Sequence, residues 1–262
     1  MAARPWRLLC DGPGDAAWNM SVDEALLLCA PGARPLLRLY SWREPSVSLG
    51  LRQRPPDWLP RCTALGIPVV RRATGGGAVL HAGDLTYSVV APADAPELPA
   101  GLRGSYEWIR ARVVDGLTRA GLAARASRSR PGADRLELCF AGATGYEVEL
   151  DGEKLVGSAQ RRTRRAFLQH GSIRLCDDGA LYRALTGTAP AGPKPPPLER
   201  AALVSALVAS FAAALAGGLE AAELSPAEHS CARVRSAARA RSALELPVLA
   251  LSRTAQFADR HP

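Results

Sequence analysis

The sequence predicts an α/β chain built on a mixed, mainly antiparallel sheet flanked by helices, and three observations lead there. Leu85, Tyr87 and Val89 alternate with Thr86 and Ser88, the period-two pattern of a half-buried strand. Tyr146–Leu150 alternates in the same way and runs into Asp151-Gly152, the dipeptide best suited to a tight hairpin turn, with Glu153–Gln160 returning. Between and after these strands, Trp108, Ile109, Val113 and Leu117, and later Leu203, Leu207, Phe211 and Leu215, recur at helical spacing. At 262 residues the chain is long enough to bury a proper core.

Taken in order, Asp15–Cys29 reads as a helix capped by Asp15 or Asn19, and its acidic pair Asp23-Glu24 reads as a solvated face rather than a catalytic one. Leu36–Tyr40 and Val47–Gly50 read as strands joined by a turn at Ser41–Pro45. Arg52 and Gln53 follow, either holding an anionic ligand near a cavity mouth or lying at the surface. Ile67–Val70 leads into Arg71-Arg72-Ala73-Thr74-Gly75-Gly76-Gly77, and Ala78–Leu80 leads out to His81. Three glycines strip one bend of side chains, so an acyl, phosphate or nucleotide group fits against its backbone N–H groups; the alternative is a plain glycine turn. Ser105–Gly121 reads as a helix capped by Ser105, and Arg125–Asp134 as an exposed loop. Leu136–Phe140 is a strand followed by the small residues Ala141–Gly145, and Arg161–Arg165 is a basic turn into the strand Phe167–Leu175. Beyond Cys176 come a short helix at Ala180–Leu185, a stiff linker at Gly192–Pro197, and helices over Leu198–Leu219 and Ser225–Ala243.

Composition narrows the class. The formal charge is +8, but Lys154 and Lys194 are the only lysines, a bias that fits a GC-rich coding sequence. The arginines are scattered, with knots at Arg125–Arg135 and Arg161–Arg165, which argues against nucleic acid as the main partner and equally suits an acidic protein. The six cysteines form no CxxC pair and no Cys/His set at metal spacing, so neither zinc nor disulfides are expected, and a reducing cytoplasm is. The start carries no apolar signal region, and Ala201–Leu219 has one apolar face only, an amphipathic helix rather than a membrane span.

Four positions stand out for chemistry. Lys154, in a chain that writes nearly every cation as arginine, is a compact ammonium able to polarise a carbonyl, with Gly157 beside it leaving room for a ligand; the alternative is a surface lysine. Cys139 ends a strand next to a loop of small residues and reads either as a thiolate that accepts an acyl group or as a buried structural cysteine. His81 and His170 sit in strand contexts, as general base or orienting donor, or else as satisfied structural histidines.

Together these residues resemble the biotin/lipoate protein ligase catalytic-domain superfamily. Arg71–His81 is similar to its Arg-Arg-x-x-Gly-Gly-Gly-x-Val-x-His motif, Lys154–Ala159 to its Lys-x-x-Gly-x-Ala motif, and Leu168–Ile173 to its His-Gly motif, while Asn19–Ala25 and Arg38–Trp42 match its opening. The resemblance runs from about Trp6 to Leu175 and implies a fold related to class II aminoacyl-tRNA synthetases. It implies a catalytic domain over residues 1–187, with 188–262 a Pro-rich linker and helical segment packed on the same domain. It also implies attachment of octanoyl or lipoyl groups to a lysine of an acceptor domain.

Within the superfamily, Ser158–Arg162 and Leu168–Gly171 are most similar to the cysteine-dependent octanoyltransferases of the LipM type, and next to the lipoate–protein ligase A type. By that resemblance octanoyl passes from acyl carrier protein to Cys139, then to a lysine of a lipoyl domain or a glycine-cleavage H-type protein. The enzyme is then a cytoplasmic monomer that uses no cofactor, nucleic acid or membrane. Lys154 would orient the acyl carbonyl, and Arg72, Gly75, Gly76, Gly77, His81, Gly157, Ser158, Ala159, His170 and Gly171 would bind substrate. Ala82, where the ligases have Asp, and Gly77, where the octanoyltransferases often have Arg, depart from the patterns. The alternatives are an ATP- and Mg-dependent lipoate–protein ligase working through lipoyl-AMP, which leaves Cys139 idle, and a non-enzymatic module that binds lipoyl or carrier domains.

Overall fold

The computed structural model describes residues 3–127, 147–188 and 198–240. The chain opens with β1 (Trp6–Gly14), α1 (Ala16–Cys29), β2 (Leu36–Trp42) and β3 (Ser46–Leu49). It continues with α2 (Leu59–Ala64), β4 (Val69–Arg71), β5 (Val79–His81), β6 (Leu85–Pro92) and α3 (Gly101–Arg119). Then come β7 (Arg125–Ala126), β8 (Val148–Leu150), β9 (Glu153–Arg162), β10 (Ala166–Ile173), α4 (Gly179–Thr186), α5 (Arg200–Ala214) and β11 (Leu219–Ala221). A helix α6 over 226–240 follows.

The large sheet runs β11-β1-β2-β6-β10-β9-β8-β7, parallel only where β1 meets β11 and β2. A second sheet, β4-β3-β5, holds the glycine stretch between its two outer strands. The mixed, mainly antiparallel sheet flanked by helices is therefore the architecture found.

The period of two along each central strand divides the large sheet into two chemically distinct faces. Leu37 and Leu39 of β2, Leu85, Tyr87 and Val89 of β6, and Phe167 and Ile173 of β10 point to one side, where they meet Ile109, Val113 and Leu117 of α3 and Leu203, Leu207 and Phe211 of α5. Each of these large side chains contributes about 1.5–3 kcal/mol by leaving water. The residues in between, Arg38, Tyr40, Thr86, Ser88, His170 and Ser172, point to the opposite side and are buried there. That polar face lies against α1, with contacts from α1 to β6 and β10.

Several elements differ from the sequence reading. β1 has no strand signature in the reading above: Asp11, Gly12 and Pro13 interrupt it, and a register shift between Cys10 and Pro13 accommodates them. Helix α3 begins at Gly101, so Ser105 lies inside the first turns and its hydroxyl bonds back to the Gly101 carbonyl at 2.7 Å instead of capping. The helix expected over Leu198–Leu219 stops at Ala214, and Leu219–Ala221 instead adds an edge strand to β1. The strand expected at Leu136–Phe140, with Cys139, lies outside the described residues.

Helices α3 and α5 approach closely because Gly116 has no side chain. A Cβ there would stand 2.6 Å from Leu207 Cδ2 and 3.1 Å from the Leu207 Cα. Overpacking of about 1–3 kcal/mol outweighs the helix-propensity gain of up to about 1 kcal/mol. Gly116→Ala is expected to lower unfolding stability by about 1–2 kcal/mol in denaturant titrations.

Candidate active site

Between the polar face of the large sheet, α1 and the small sheet lies a half-open cavity, with about 340 Å³ of atom-free space when the solvent at its mouth is included. Met20, Tyr40, Val79, Ser48, Thr86 and Ser172 line it, together with Arg72, His81, Gly157, Ser158, Ala159, His170 and Gly171. Seven of the residues expected to bind substrate thus meet in one place, from β5, β9, β10 and the segment after β4. Gly171 leaves room on the opposite, apolar face for the Tyr87 ring: a Cβ there would stand 2.6 Å from both Ser158 Oγ and Tyr87 Cε1.

Two imidazoles face the cavity, each pinned from behind by a carboxylate and bonded in front to a hydroxyl. His170 Nδ1 lies 2.9 Å from Asp23 Oδ2, and its Nε2 lies 2.6 Å from Thr74 Oγ1. His81 Nδ1 lies 2.9 Å from Asp84 Oδ2, and its Nε2 lies 2.8 Å from Ser48 Oγ. Trp42 stacks on His81 with ring centroids 3.7 Å apart, and its indole N–H donates to Thr86, whose hydroxyl donates to Asp84.

Asp23 is 1% exposed. Burial works against its ionisation, but the His170 hydrogen bond and the Arg38 guanidinium outweigh burial and hold the pKa at about 2. Burial lowers the His170 pKa, with the Asp23 interaction acting against it. The pair is therefore a carboxylate and a neutral imidazole at pH 7, with the ring proton on Nδ1 donated to Asp23 and Nε2 accepting from Thr74. Burial also pushes the Asp84 carboxyl up, yet His81, Ser172 and Thr86 bring it below the ordinary carboxylate range.

The glycine stretch is braced through its carbonyls. Arg72 Nη2 donates to the Gly75 and Gly77 carbonyls, both at 2.7 Å, and its Nη1 to the Ser48 carbonyl at 2.9 Å. Arg71 ties the neighbouring segment by donating to the Gly50 carbonyl at 2.6 Å. Gly76 takes φ +92°, a conformation only glycine adopts without strain. Arg72 accordingly shapes the loop as well as lining the cavity. Gln53 serves the same region, its side-chain oxygen accepting from the Gly50 N–H at 3.1 Å.

Lys154 reaches this side of the sheet through a bulge. The β8–β9 register skips one residue of β9, and Leu155 and Val156 both enter the apolar core. Lys154 therefore lies on the other face, the one on which Gly157 and Ala159 line the cavity. Its side chain is 10% exposed and its Nζ is 3.2 Å from Glu147 Oε1, so the surface-lysine alternative does not hold. Cys139 lies outside the described residues. Among those residues no group of three or more His, Cys, Asp and Glu is placed to hold a metal ion, and no helix is long and apolar enough to cross a membrane.

Sequence reasoning missed the carboxylates. Asp23 was expected on a solvated helix face and is instead buried; Glu24 pairs with Arg235 at 2.9 Å and Arg239 at 2.7 Å of α6. Arg239 also reaches Ser21 at 3.1 Å and the Arg71 carbonyl at 3.3 Å, so α6 ties α1 to the start of the glycine segment. Glu147 and Asp84 lay within strand-like runs and gave no separate signal.

Comparison with known proteins gives a consistent picture. Residues 15–205 match the family described as lipoyl protein ligase A/B catalytic domain. A protein of Kyrpidia tusciae named octanoyltransferase LipM is 43% identical over 191 residues, covering 69% of this chain and 70% of that protein. The crystal structure of a lipoate-protein ligase A bound with ATP superposes with a TM-score of 0.74 at 25% identity, over 88% of this chain and 94% of the other. The bi-partite lipoate protein ligase of Thermoplasma acidophilum, described together with its E2 lipoyl domain, shares the fold with a TM-score of 0.68 at 23% identity, over 89% and 92%.

The Asp23 site makes stability pH-dependent in one direction. Its pKa is about 2 in the folded chain against an ordinary 3.8, so its contribution of about 2 kcal/mol is complete above pH 4 and is lost as pH falls toward 2. The lowered His170 pKa acts in the same direction, costing stability as pH falls below about 6.5. Urea unfolding from pH 7 to pH 2 is expected to show this fall. Asp23→Asn, which leaves the fully buried Arg38 with only the Asp11 carboxylate, is expected to cost about 3 kcal/mol at pH 7 and to flatten the acid limb.

Proposed function

The chain belongs to the lipoyl protein ligase A/B catalytic-domain family, and from that premise we propose that it transfers an octanoyl group through a thioester on Cys139 to a lysine of a lipoyl-accepting domain. It is an octanoyl-transferring enzyme of protein lipoylation. The observation that supports the reading is the cavity, lined by Arg72 and His81 from either side of the glycine loop, by Gly157–Ala159 and by His170-Gly171, while Gly75, Gly76, Gly77 and Lys154 are not among its lining residues.

In this reading the Cys139 thiolate attacks the carbonyl carbon of an octanoyl thioester on acyl carrier protein, and the carrier thiolate leaves. The amine of the acceptor lysine then attacks the octanoyl-Cys139 carbonyl, an amide forms and Cys139 is released as the thiolate, the proton of the attacking amine passing to water or to a neighbouring base. Negative charge develops on the acyl oxygen in both steps. The Lys154 ammonium, positioned by Glu147, donates to that oxygen. The apolar part of the cavity, Met20, Val79 and the Tyr40 ring, takes the alkyl chain. His81 holds the Ser48 hydroxyl in the wall and Thr74 holds the His170 ring, so the polar surface around the chain keeps one arrangement. The donor is already activated as a thioester, so no nucleotide enters these steps. The pair Cys139-Phe140 resembles that of the cysteine-dependent octanoyltransferases, which supports the nucleophile.

Intact mass after incubation with octanoyl-acyl carrier protein tests this reading. An octanoyl adduct labile to hydroxylamine is expected on the wild type and absent from folded Cys139→Ser. Absence of the adduct, with lipoyl-AMP formed from lipoate and ATP, would make the chain a ligase. Lys154→Ala is expected to reduce kcat/KM for transfer by about 100- to 1,000-fold with the fold intact by circular dichroism.

A further inference from the structure

Four arginines crowd the β9–β10 turn: Arg161, Arg162, Arg164 and Arg165. Elsewhere arginines meet carboxylates, as Arg7 does with Glu228 and Arg119 with Asp115. No ion pair among the described residues involves the turn. Arg161 and Arg162 are fixed by neutral partners: Arg161 donates to the Ala73 carbonyl at 3.2 Å, and Arg162 donates to Ser105 Oγ at 2.9 Å and lies over the Phe167 ring. Arg164 and Arg165 are exposed.

The turn stands beside the glycine loop. Ala73, held by Arg161, precedes Thr74, whose hydroxyl meets His170 at the cavity and whose carbonyl accepts from the Leu51 N–H at 2.7 Å. Exposed Arg52 and Arg54 follow Leu51. The glycine loop therefore has, on two sides, positive charge with no ion-pair partner among the described residues. The large exposed hydrophobics among the described residues are Leu28, Leu51, Leu65, Leu102 and Val234, none aromatic, so no stacking platform of the kind single-stranded nucleic acid uses is found among them.

We propose that the arginines of the β9–β10 turn, with Arg52 and Arg54 across the glycine loop, are the docking surface for the acidic carrier protein that delivers the acyl thioester. The proposal rests on the octanoyltransferase reading. Of the two protein substrates that reading requires, the donor brings its acyl group on a phosphate-linked arm, so negative charge accompanies the thioester to the cavity. The acceptor brings only a lysine amine, with no phosphate arm to match the arginines. A rim charge of this kind acts on encounter and on salt dependence rather than on the chemical step.

The test uses the full chain and an Arg164→Glu/Arg165→Glu variant, with Arg164→Lys/Arg165→Lys as the charge-preserving control. Transfer is measured from octanoyl-acyl carrier protein and from octanoyl-N-acetylcysteamine, a thioester with no carrier. The charge-reversed variant is expected to raise the KM for the carrier substrate about 10-fold or more, with kcat and the acceptor KM unchanged and a weaker salt dependence than wild type. The lysine control is expected to stay near wild type, and the small thioester to be used equally by all three. An unchanged carrier KM, or a rise in the acceptor KM instead, would overturn the docking surface. Wild type inactive with both thioesters would overturn the octanoyltransferase reading itself.

Discussion

A single buried carboxylate organises the polar half of this molecule. Asp23 Oδ1 accepts from Arg38 at 2.8 Å and Ser88 at 3.0 Å, and Oδ2 from Tyr40 at 2.8 Å and His170 at 2.9 Å. The donors come from three adjacent central strands, β2, β6 and β10, and the acceptor from α1. A fully buried charge is tolerated only when its lone pairs are satisfied and its counter-charge is close, and both conditions are met here. The requirement fixes where α1 lies on the sheet, and with it the position of Met20 on the same helix at the cavity wall. Asp84 gathers His81, Thr86 and Ser172 on the other side, all three through Oδ2, while its buried Oδ1 has no hydrogen-bond partner among the described residues.

The two faces of the large sheet divide the work of the fold. One face of the sheet is stabilised by apolar burial against α3 and α5, a force without direction. The other is held by directional bonds that set ring orientation and leave a space between them. A cavity meant to receive an alkyl chain beside a reactive carbonyl needs both qualities: apolar walls, and polar groups that do not turn into the ligand. The link from α6 through Arg235 and Arg239 to Glu24 extends this order to the C-terminal part of the described chain.

How much of this was legible in the sequence follows from the range of the interactions. The strands β6, β8, β9 and β10 and the helices α3 and α5 announced themselves because side-chain periodicity is local. The glycine stretch, Lys154 and His170 were visible as unusual residues in their surroundings, and seven of the ten expected substrate-binding residues line the cavity, the three glycines not among them. The partners were not visible. Asp23 looks like any acidic residue on a helix, and only a contact with His170, 147 residues away, reveals it as a buried anchor. Glu147 sits in an alternating run, where a charged residue reads as the solvent side, and the β9 bulge that turns Lys154 toward the site has no signature in the sequence. Alternation did carry one unused clue: Leu168, His170 and Ser172 share a face opposite Phe167 and Ile173, so the polar face was written into β10 from the start.

The central claim is that ionised carboxylates hold both cavity histidines with the proton on Nδ1 and Nε2 turned to a hydroxyl. Imidazole nitrogen NMR of the full chain at pH 7 tests it most directly. The account predicts a proton on Nδ1 of both His81 and His170, with His170 uncharged and its tautomer preference lost in Asp23→Asn. An Nε2–H tautomer at either ring, or a protonated His170 at that pH, would contradict it.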